Sequence, residues 1–230
     1  MFKECIPEDL ERKRELLKTI ERHVQQDTII VSFASALLPS LLSEHLDHKE
    51  NFVVVHSLKP TLLIKSTEVV PSPWTNTNTL KRLTKILEGL GLLPIVLLKE
   101  IDGYTMNRIH YCLMAECYHL VKGGYCDAVD VDTAMQEGLG QWYPFLGLFE
   151  IEHLNADGFV ALCKRYGNAH YEVQKSFLPP ERMEGATAKA IHNSLCEIVP
   201  LDMLEEQRRF RIKALAALQK MKDDLDVNDP

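Results

Sequence analysis

A histidine and a glutamate, twelve residues apart, are the strongest candidates for chemistry in this chain. His56 ends an apolar run that predicts a strand over 52–55, and Glu68 opens a second predicted strand over 68–70. An imidazole can take a proton from a substrate, while a neighbouring carboxylate fixes its tautomer and stabilises the cation that forms. The pair is therefore a candidate acid–base dyad. The alternative is a histidine bonded to backbone, with Glu68 a solvated edge residue.

Two further polar stretches lie at the ends of predicted elements. Ser35 closes the segment Ser-Phe-Ala-Ser that ends a predicted strand over 28–31. Asn107 belongs to Asp-Gly-Tyr-Thr-Met-Asn-Arg, which opens a long helical pattern after a predicted strand over 94–98.

The order of these motifs resembles the 3-hydroxyacyl-CoA dehydrogenase superfamily, and within it the lambda-crystallin branch, whose enzymes act as L-gulonate 3-dehydrogenases. Further matching segments are E-C-I-P-E-D-L-E at 4–11, L-L-P-S at 37–40, E-G-L-G at 137–140 and H-L-N-A-D-G at 153–158. The resemblance extends in order over nearly the whole chain. It implies an NAD-dependent oxidoreductase for 3-hydroxy acids, with a small hydroxy acid or an acyl-CoA as substrate.

The resemblance also implies roles for five residues. His56 and Glu68 match the catalytic dyad of the family, and Ser35 and Asn107 match its substrate-binding serine and asparagine. Glu4 matches an acidic position near the nicotinamide and is the predicted cofactor contact. We expect no metal site, because the cysteines and histidines show no ligand spacing.

The elements that must position these residues predict an α/β fold. Amphipathic helices alternate with short apolar strands up to about residue 100, and only helical patterns follow. We therefore predict a truncated Rossmann-type parallel sheet followed by an all-helical domain. Residues 1–101 are predicted to be the C-terminal portion of the NAD-binding domain. Residues 102–230 are predicted to be a helical domain for dimerisation and substrate binding.

The predicted NAD-binding domain is truncated because its dinucleotide-binding motif is missing. A dinucleotide site is expected to open with a strand, a G-x-G-x-x-G turn and a helix, and these 230 residues contain no such motif. The family would place roughly three βα units of ~30 residues before Glu4. NAD is thus the expected family cofactor, yet we predict no binding of it by this chain tighter than millimolar.

Departures inside the matching segments leave enzymatic activity open. Phe33 and Ala34 replace the polar residues that precede the family's serine, Lys59 replaces an asparagine after the histidine, and Gly140-Gln141-Trp142 stands where the family has G-x-R, so that Trp142 replaces an arginine. Two alternatives to a working dehydrogenase follow. The chain is a catalytically inactive, lambda-crystallin-like structural or interaction protein, or it is a fragment of a complete enzyme.

Composition restricts the expected cellular location of the chain and the classes of partner that it can bind. A net charge of −7 argues against a nucleic-acid surface, and no apolar run reaches the ~18 residues of a membrane span. The six cysteines suit reduced thiols of a cytoplasmic protein. The family resemblance implies a homodimer formed through the helical domain; the alternative is a helical bundle without a partner.

Overall fold

The computed structural model describes residues 1–225 and divides into two compact units, the first from Met1 to Tyr111 and the second starting at Cys112. The strands are β1 (Phe2–Glu4), β2 (Ile30–Ser32), β3 (Phe52–Ser57), β4 (Ser66–Pro71) and β5 (Leu93–Val96). The helices are α1 (Leu10–Glu21), α2 (Pro39–Ser43), α3 (Thr77–Gly89), α4 (Met106–Lys122), α5 (Ala128–Thr133), α6 (Leu148–Asn155), α7 (Phe159–Lys175), α8 (Gly185–Ile198) and α9 (Leu204–Asp224). The predicted α/β class and the helical second half are confirmed.

The sheet of the first unit is mixed, which corrects the prediction of a parallel sheet. Its strands lie in the order β1-β2-β3-β4-β5, and β3 pairs with β4 in the antiparallel sense, whereas the other three pairs are parallel. Residues 58–65 alone connect β3 to β4. A parallel connection needs a crossover of a dozen or more residues, so this short link permits only the antiparallel pairing.

The central strand β3 is buried on both faces. Its apolar residues alternate in direction, so that Phe52 and Val54 pack in one core cluster and Val53 and Val55 in another. Leu17 of α1 and Leu42 of α2 belong to the first cluster, whereas Leu83 and Leu87 of α3 belong to the second. His56 continues the alternation of Phe52 and Val54 and therefore lies on the face covered by α1 and α2.

Helix α1 begins with a side-chain cap. Asp9 accepts a hydrogen bond from the backbone N–H of Arg12 at 3.0 Å, which satisfies one of the free amides of the first turn. Its buried face contains Leu17 and Ile20, and also Lys13. A buried lysine requires a charged or polar partner, and the site described below contains it.

Strand β5 forms one edge of the sheet. The N–H groups of Leu93 and Leu97 donate to the carbonyls of Lys65 and Val69, at 2.9 and 3.0 Å. Among residues 1–225, no strand pairs with the opposite side of β5.

The second unit consists of helices. Within it α6 packs on α7 and α5 on α8. The segment before α8 is fastened to α4, because the Tyr118 hydroxyl donates to the Glu184 carbonyl at 2.8 Å and His119 Nε2 lies 3.1 Å from Glu181. None of the helices described in residues 1–225 is both long and apolar enough to cross a membrane. The cellular location stays a prediction.

Candidate active site

His56 and Glu68 meet across the antiparallel strand pair. They face each other in the register of β3 and β4, and His56 Nδ1 lies 2.7 Å from Glu68 Oε2. Both side chains are buried, with His56 7% exposed and Glu68 fully enclosed. Directly opposed residues of an antiparallel pair point to the same face, so the pairing of the strands itself brings the two groups together.

This contact selects the tautomer of His56. Glu68 as a carboxylate can only accept, so Nδ1 carries the proton and donates it to Oε2. The other ring nitrogen, Nε2, then has a lone pair, and the described residues provide no hydrogen bond for it. The arrangement leaves one basic nitrogen available to a ligand.

Glu68 is held as an anion by the first turn of α4. Its Oε1 accepts hydrogen bonds from the N–H groups of Thr105 and Met106, at 2.7 and 2.9 Å. Burial acts to raise the pKa of Glu68, but the hydrogen bonds from His56, Met106 and Thr105 outweigh it, and the net pKa lies below the ordinary value. The positive end of the α4 dipole also favours this charge.

Tyr104 closes the apolar side of the dyad. Its ring centroid is 5.5 Å from that of His56, and its hydroxyl donates to the Leu37 carbonyl at 2.5 Å. Burial, together with nearby acidic groups, raises the pKa of Tyr104, so the phenol remains a donor. The residue adopts φ +55°, a left-handed conformation that costs roughly 1–2 kcal/mol for a residue with a Cβ. The turn that presents the α4 amides to Glu68 therefore depends on the contacts of Tyr104.

Ser35 and Asn107 are brought together, although not through the serine hydroxyl. Asn107 Nδ2 donates to the Ser35 carbonyl at 2.8 Å, and the asparagine is 8% exposed. The Ser35 side chain is exposed on the loop after β2. Their predicted contacts with a substrate stay predictions.

Glu4 lies in a buried ion pair. Lys13 Nζ is 2.8 and 3.0 Å from its two carboxylate oxygens, the Ser32 hydroxyl donates to Oε2 at 2.5 Å, and the Ile6 N–H donates to Oε1 at 2.5 Å. The side chains of Glu4 and Lys13 are both completely enclosed. All these partners belong to the chain itself, so the described contacts of Glu4 are structural. Its predicted contact with the cofactor stays a prediction.

Three residues that support the site were not identified from the sequence: Lys13, Tyr104, and Glu8, whose carboxylate accepts from the Ser35 N–H at 2.8 Å. Lys13 had a visible signal, because it falls at helical spacing on the apolar face shared by Leu17 and Ile20. The roles of Glu8 and Tyr104 depend on loop and turn conformations, for which the sequence has no comparable pattern.

The residues of this chain do not fit the pyrophosphate of a dinucleotide. The first glycine is Gly89, so no glycine turn joins β1, β2 or β3 to the element that follows. Where α1 and α2 begin, acidic side chains already engage the backbone: Asp9 caps α1, and Glu100 accepts from the Ser40 N–H of α2 at 2.8 Å. Carboxylates at these positions repel phosphate, which needs free amides behind a glycine turn.

Comparison with protein families shows matches over both units. Residues 1–101 match the family described as 3-hydroxyacyl-CoA dehydrogenase, NAD binding domain. Residues 103–194 match the family described as 3-hydroxyacyl-CoA dehydrogenase, C-terminal domain.

Individual relatives show the same similarity. The lambda-crystallin homolog of Bos taurus is 38% identical over 224 residues, which cover 96% of this chain and 70% of that protein. An L-carnitine dehydrogenase of Oceanobacillus iheyensis is 34% identical over 97% of this chain and 73% of its own length. The crystal structure of a 5-formyl-3-hydroxy-2-methylpyridine 4-carboxylic acid 5-dehydrogenase, an NAD+ dependent dismutase, has a TM-score of 0.81. At 21% identity, with 97% of this chain and 72% of that one covered, this likeness supports the fold.

Proposed function

The chain belongs to the 3-hydroxyacyl-CoA dehydrogenase superfamily, in its lambda-crystallin branch, and from this premise we propose that His56 and Glu68 are its catalytic dyad. The family's reaction is the NAD-dependent dehydrogenation of 3-hydroxy-acid substrates, and NAD is the family cofactor. The observation that carries the proposal is the 2.7 Å contact between His56 Nδ1 and Glu68, which leaves Nε2 without a hydrogen bond from any residue in the described range 1–225.

In the proposed chemistry the chain handles the proton. His56 Nε2 takes the proton of a secondary hydroxyl, and the imidazolium that forms is stabilised by the buried Glu68 carboxylate. The α4 amides hold Glu68 in place while this charge develops. No residue needs to move, because the hydrogen bond that selects the tautomer is present before a substrate arrives.

The proposed substrate is a secondary alcohol of the 3-hydroxy-acid or 3-hydroxyacyl-CoA class. We assign Ser35 to the hydroxyl oxygen of the substrate, because its side chain is exposed on the loop after β2. Asn107 is assigned to orientation of the substrate, with its described bond to the Ser35 carbonyl coupling it to the same loop.

Glu68→Gln is expected to reverse the tautomer of His56. The oxygen of the introduced amide can still accept from Thr105 and Met106, but its NH₂ group then faces His56 Nδ1 and requires that nitrogen to accept. The proton must move to Nε2, which removes the base and with it a factor of roughly 10²–10⁴ in proton-transfer rate. Ring ¹⁵N NMR of the neutral imidazole should show the protonated and unprotonated nitrogens exchanged.

The control is Glu50→Gln, which alters a partly exposed carboxylate 3.8 Å from His48 and should leave the His56 signals unchanged. Titration with 3-hydroxybutyrate should then move the Nε2 signal of the unmodified protein and of Glu50→Gln, but not that of Glu68→Gln. The dyad is excluded if His56 keeps its proton on Nδ1 in Glu68→Gln.

We also propose a domain boundary at the turn around Asp102, because one family match ends at residue 101 and the next begins at residue 103. A second proposal is that the helical unit forms a homodimer. Large apolar side chains of this unit are exposed, among them Phe149 at 73% and Phe210 at 63%. Such exposure is typical of surfaces that are covered by a partner. Sedimentation at micromolar concentration is expected to give twice the mass of the chain, and a monomer would contradict the proposal.

A further inference from the structure

Three successive amides of the loop after β2 converge on one carboxylate oxygen. Glu8 Oε1 accepts from the N–H groups of Ser35, Ala36 and Leu37, at 2.8, 3.0 and 3.3 Å. Successive N–H groups that point to one centre form an anion-binding concavity. In this chain the anion is supplied internally, by a residue that precedes α1.

Glu8 is itself held in place by charge. Its other oxygen, Oε2, lies 3.8 Å from Lys13 Nζ. Lys13 is fixed by the Glu4 carboxylate and by the Ile6 carbonyl at 2.9 Å. The buried lysine therefore connects β1 and α1 to the carboxylate that holds the loop.

The carbonyl groups of the same loop are held by Asn107 of α4 and by Tyr104. Asn107 donates to the Ser35 carbonyl, while Glu8 accepts from the Ser35 N–H. Two residues along, the Leu37 carbonyl accepts from the Tyr104 hydroxyl, while the Leu37 N–H donates to Glu8. The loop is thus fixed from two directions, although the Ser35 side chain remains exposed.

We propose that Glu8 is a positioning residue for Ser35: its carboxylate fills the three-amide site and holds the loop so that the serine hydroxyl faces the substrate. The inference rests on the proposed role of Ser35 in substrate binding. Glu8 acts through the backbone and needs no contact with the substrate.

Glu8→Ala is expected to release the loop, and a free carboxylate to restore it. Without Glu8 the three amides lose their acceptor, and hydrogen exchange at Ser35, Ala36 and Leu37 should accelerate by about tenfold or more. Acetate should occupy the vacated site with a dissociation constant on the order of 10 mM and return these amides to slow exchange. Glu8→Gln retains an acceptor oxygen, so its exchange rates should stay within about threefold of the original.

The matched control is Glu11→Ala, which removes an exposed acid from the same stretch and should change neither exchange nor the response to acetate. Rescue by acetate separates loss of the loop contact from general unfolding, since a small anion cannot refold a disrupted α1. If the three amides exchange in Glu8→Ala as they do in the original protein, the inference is overturned. Faster exchange that acetate does not reverse also overturns it.

Titration of the same variants with 3-hydroxybutyrate tests whether the hold of Glu8 on the loop affects substrate binding. The His56 Nε2 response to 3-hydroxybutyrate should weaken at least about tenfold in Glu8→Ala and stay within about threefold in Glu8→Gln. Equal affinity in all variants would overturn the positioning role. If no variant, nor the original protein, responds to 3-hydroxybutyrate, the proposed function fails while the hold of Glu8 on the loop stands on the exchange data.

Discussion

Lys13→Met is expected to lower the free energy of unfolding by about 3–5 kcal/mol, because it leaves a buried carboxylate without its cation. Lys13 Nζ lies within 3.0 Å of both oxygens of Glu4, and neither side chain reaches solvent. Ser32 and the Ile6 amide would remain as donors to Glu4, yet neither carries charge. Urea denaturation monitored by circular dichroism gives the measurement.

Two variants make this result specific to the buried pair. Arg12→Met removes a cation of the same helix that is 74% exposed and 3.7 Å from Asp9, and should cost less than about 1 kcal/mol. The double variant Glu4→Gln with Lys13→Met should recover more than half of the loss, since the unpaired charge disappears. A cost below about 1 kcal/mol for Lys13→Met alone would mean that the pair is hydrated.

NADH is expected to bind these 230 residues no more tightly than millimolar, equivalent to a binding free energy weaker than about −4 kcal/mol. A dinucleotide site gains phosphate affinity from a glycine turn and from free amides at a helix N-terminus. The chain has no glycine before Gly89, and Asp9 and Glu100 occupy the starts of α1 and α2. Titration by NADH fluorescence and by calorimetry measures the affinity.

The structural relative described as an NAD+ dependent dismutase is a suitable positive control under the same conditions. Saturation by micromolar NADH would contradict the expectation. It would require a nucleotide site built from residues other than a glycine turn, and the affinity should then respond to substitutions around the loop after β2.

The sequence predicted the strands that carry the dyad but not their relative direction. Apolar runs located β3 and β4, and the family resemblance selected His56 and Glu68. The direct opposition of the two residues follows from the antiparallel register, which the short link over 58–65 could have indicated. A parallel Rossmann-type sheet was predicted instead, although a link of this length is too short for a parallel connection.

The surroundings of the dyad were beyond prediction for a different reason. The amides of Thr105 and Met106 reach Glu68 because Gly103 and Tyr104 both take left-handed backbone conformations before α4. A glycine with positive φ is ordinary, but a tyrosine is not, and only its contacts in the folded chain hold it there. Local sequence preference therefore argues against the observed turn.

Pro94 gives the exposed edge of the sheet a built-in resistance to association. Because alternate residues of a strand direct their N–H groups to opposite sides, the bonds of Leu93 and Leu97 to β4 place the backbone nitrogens of Pro94 and Val96 on the open side. Proline has no N–H, so only Val96 offers a donor there. An incoming strand would find a gap in the ladder on a side that has apolar, uncharged residues. The missing N–H of Pro94 thus opposes pairing of β5 with a strand of another copy, a role that charged side chains usually have at sheet edges.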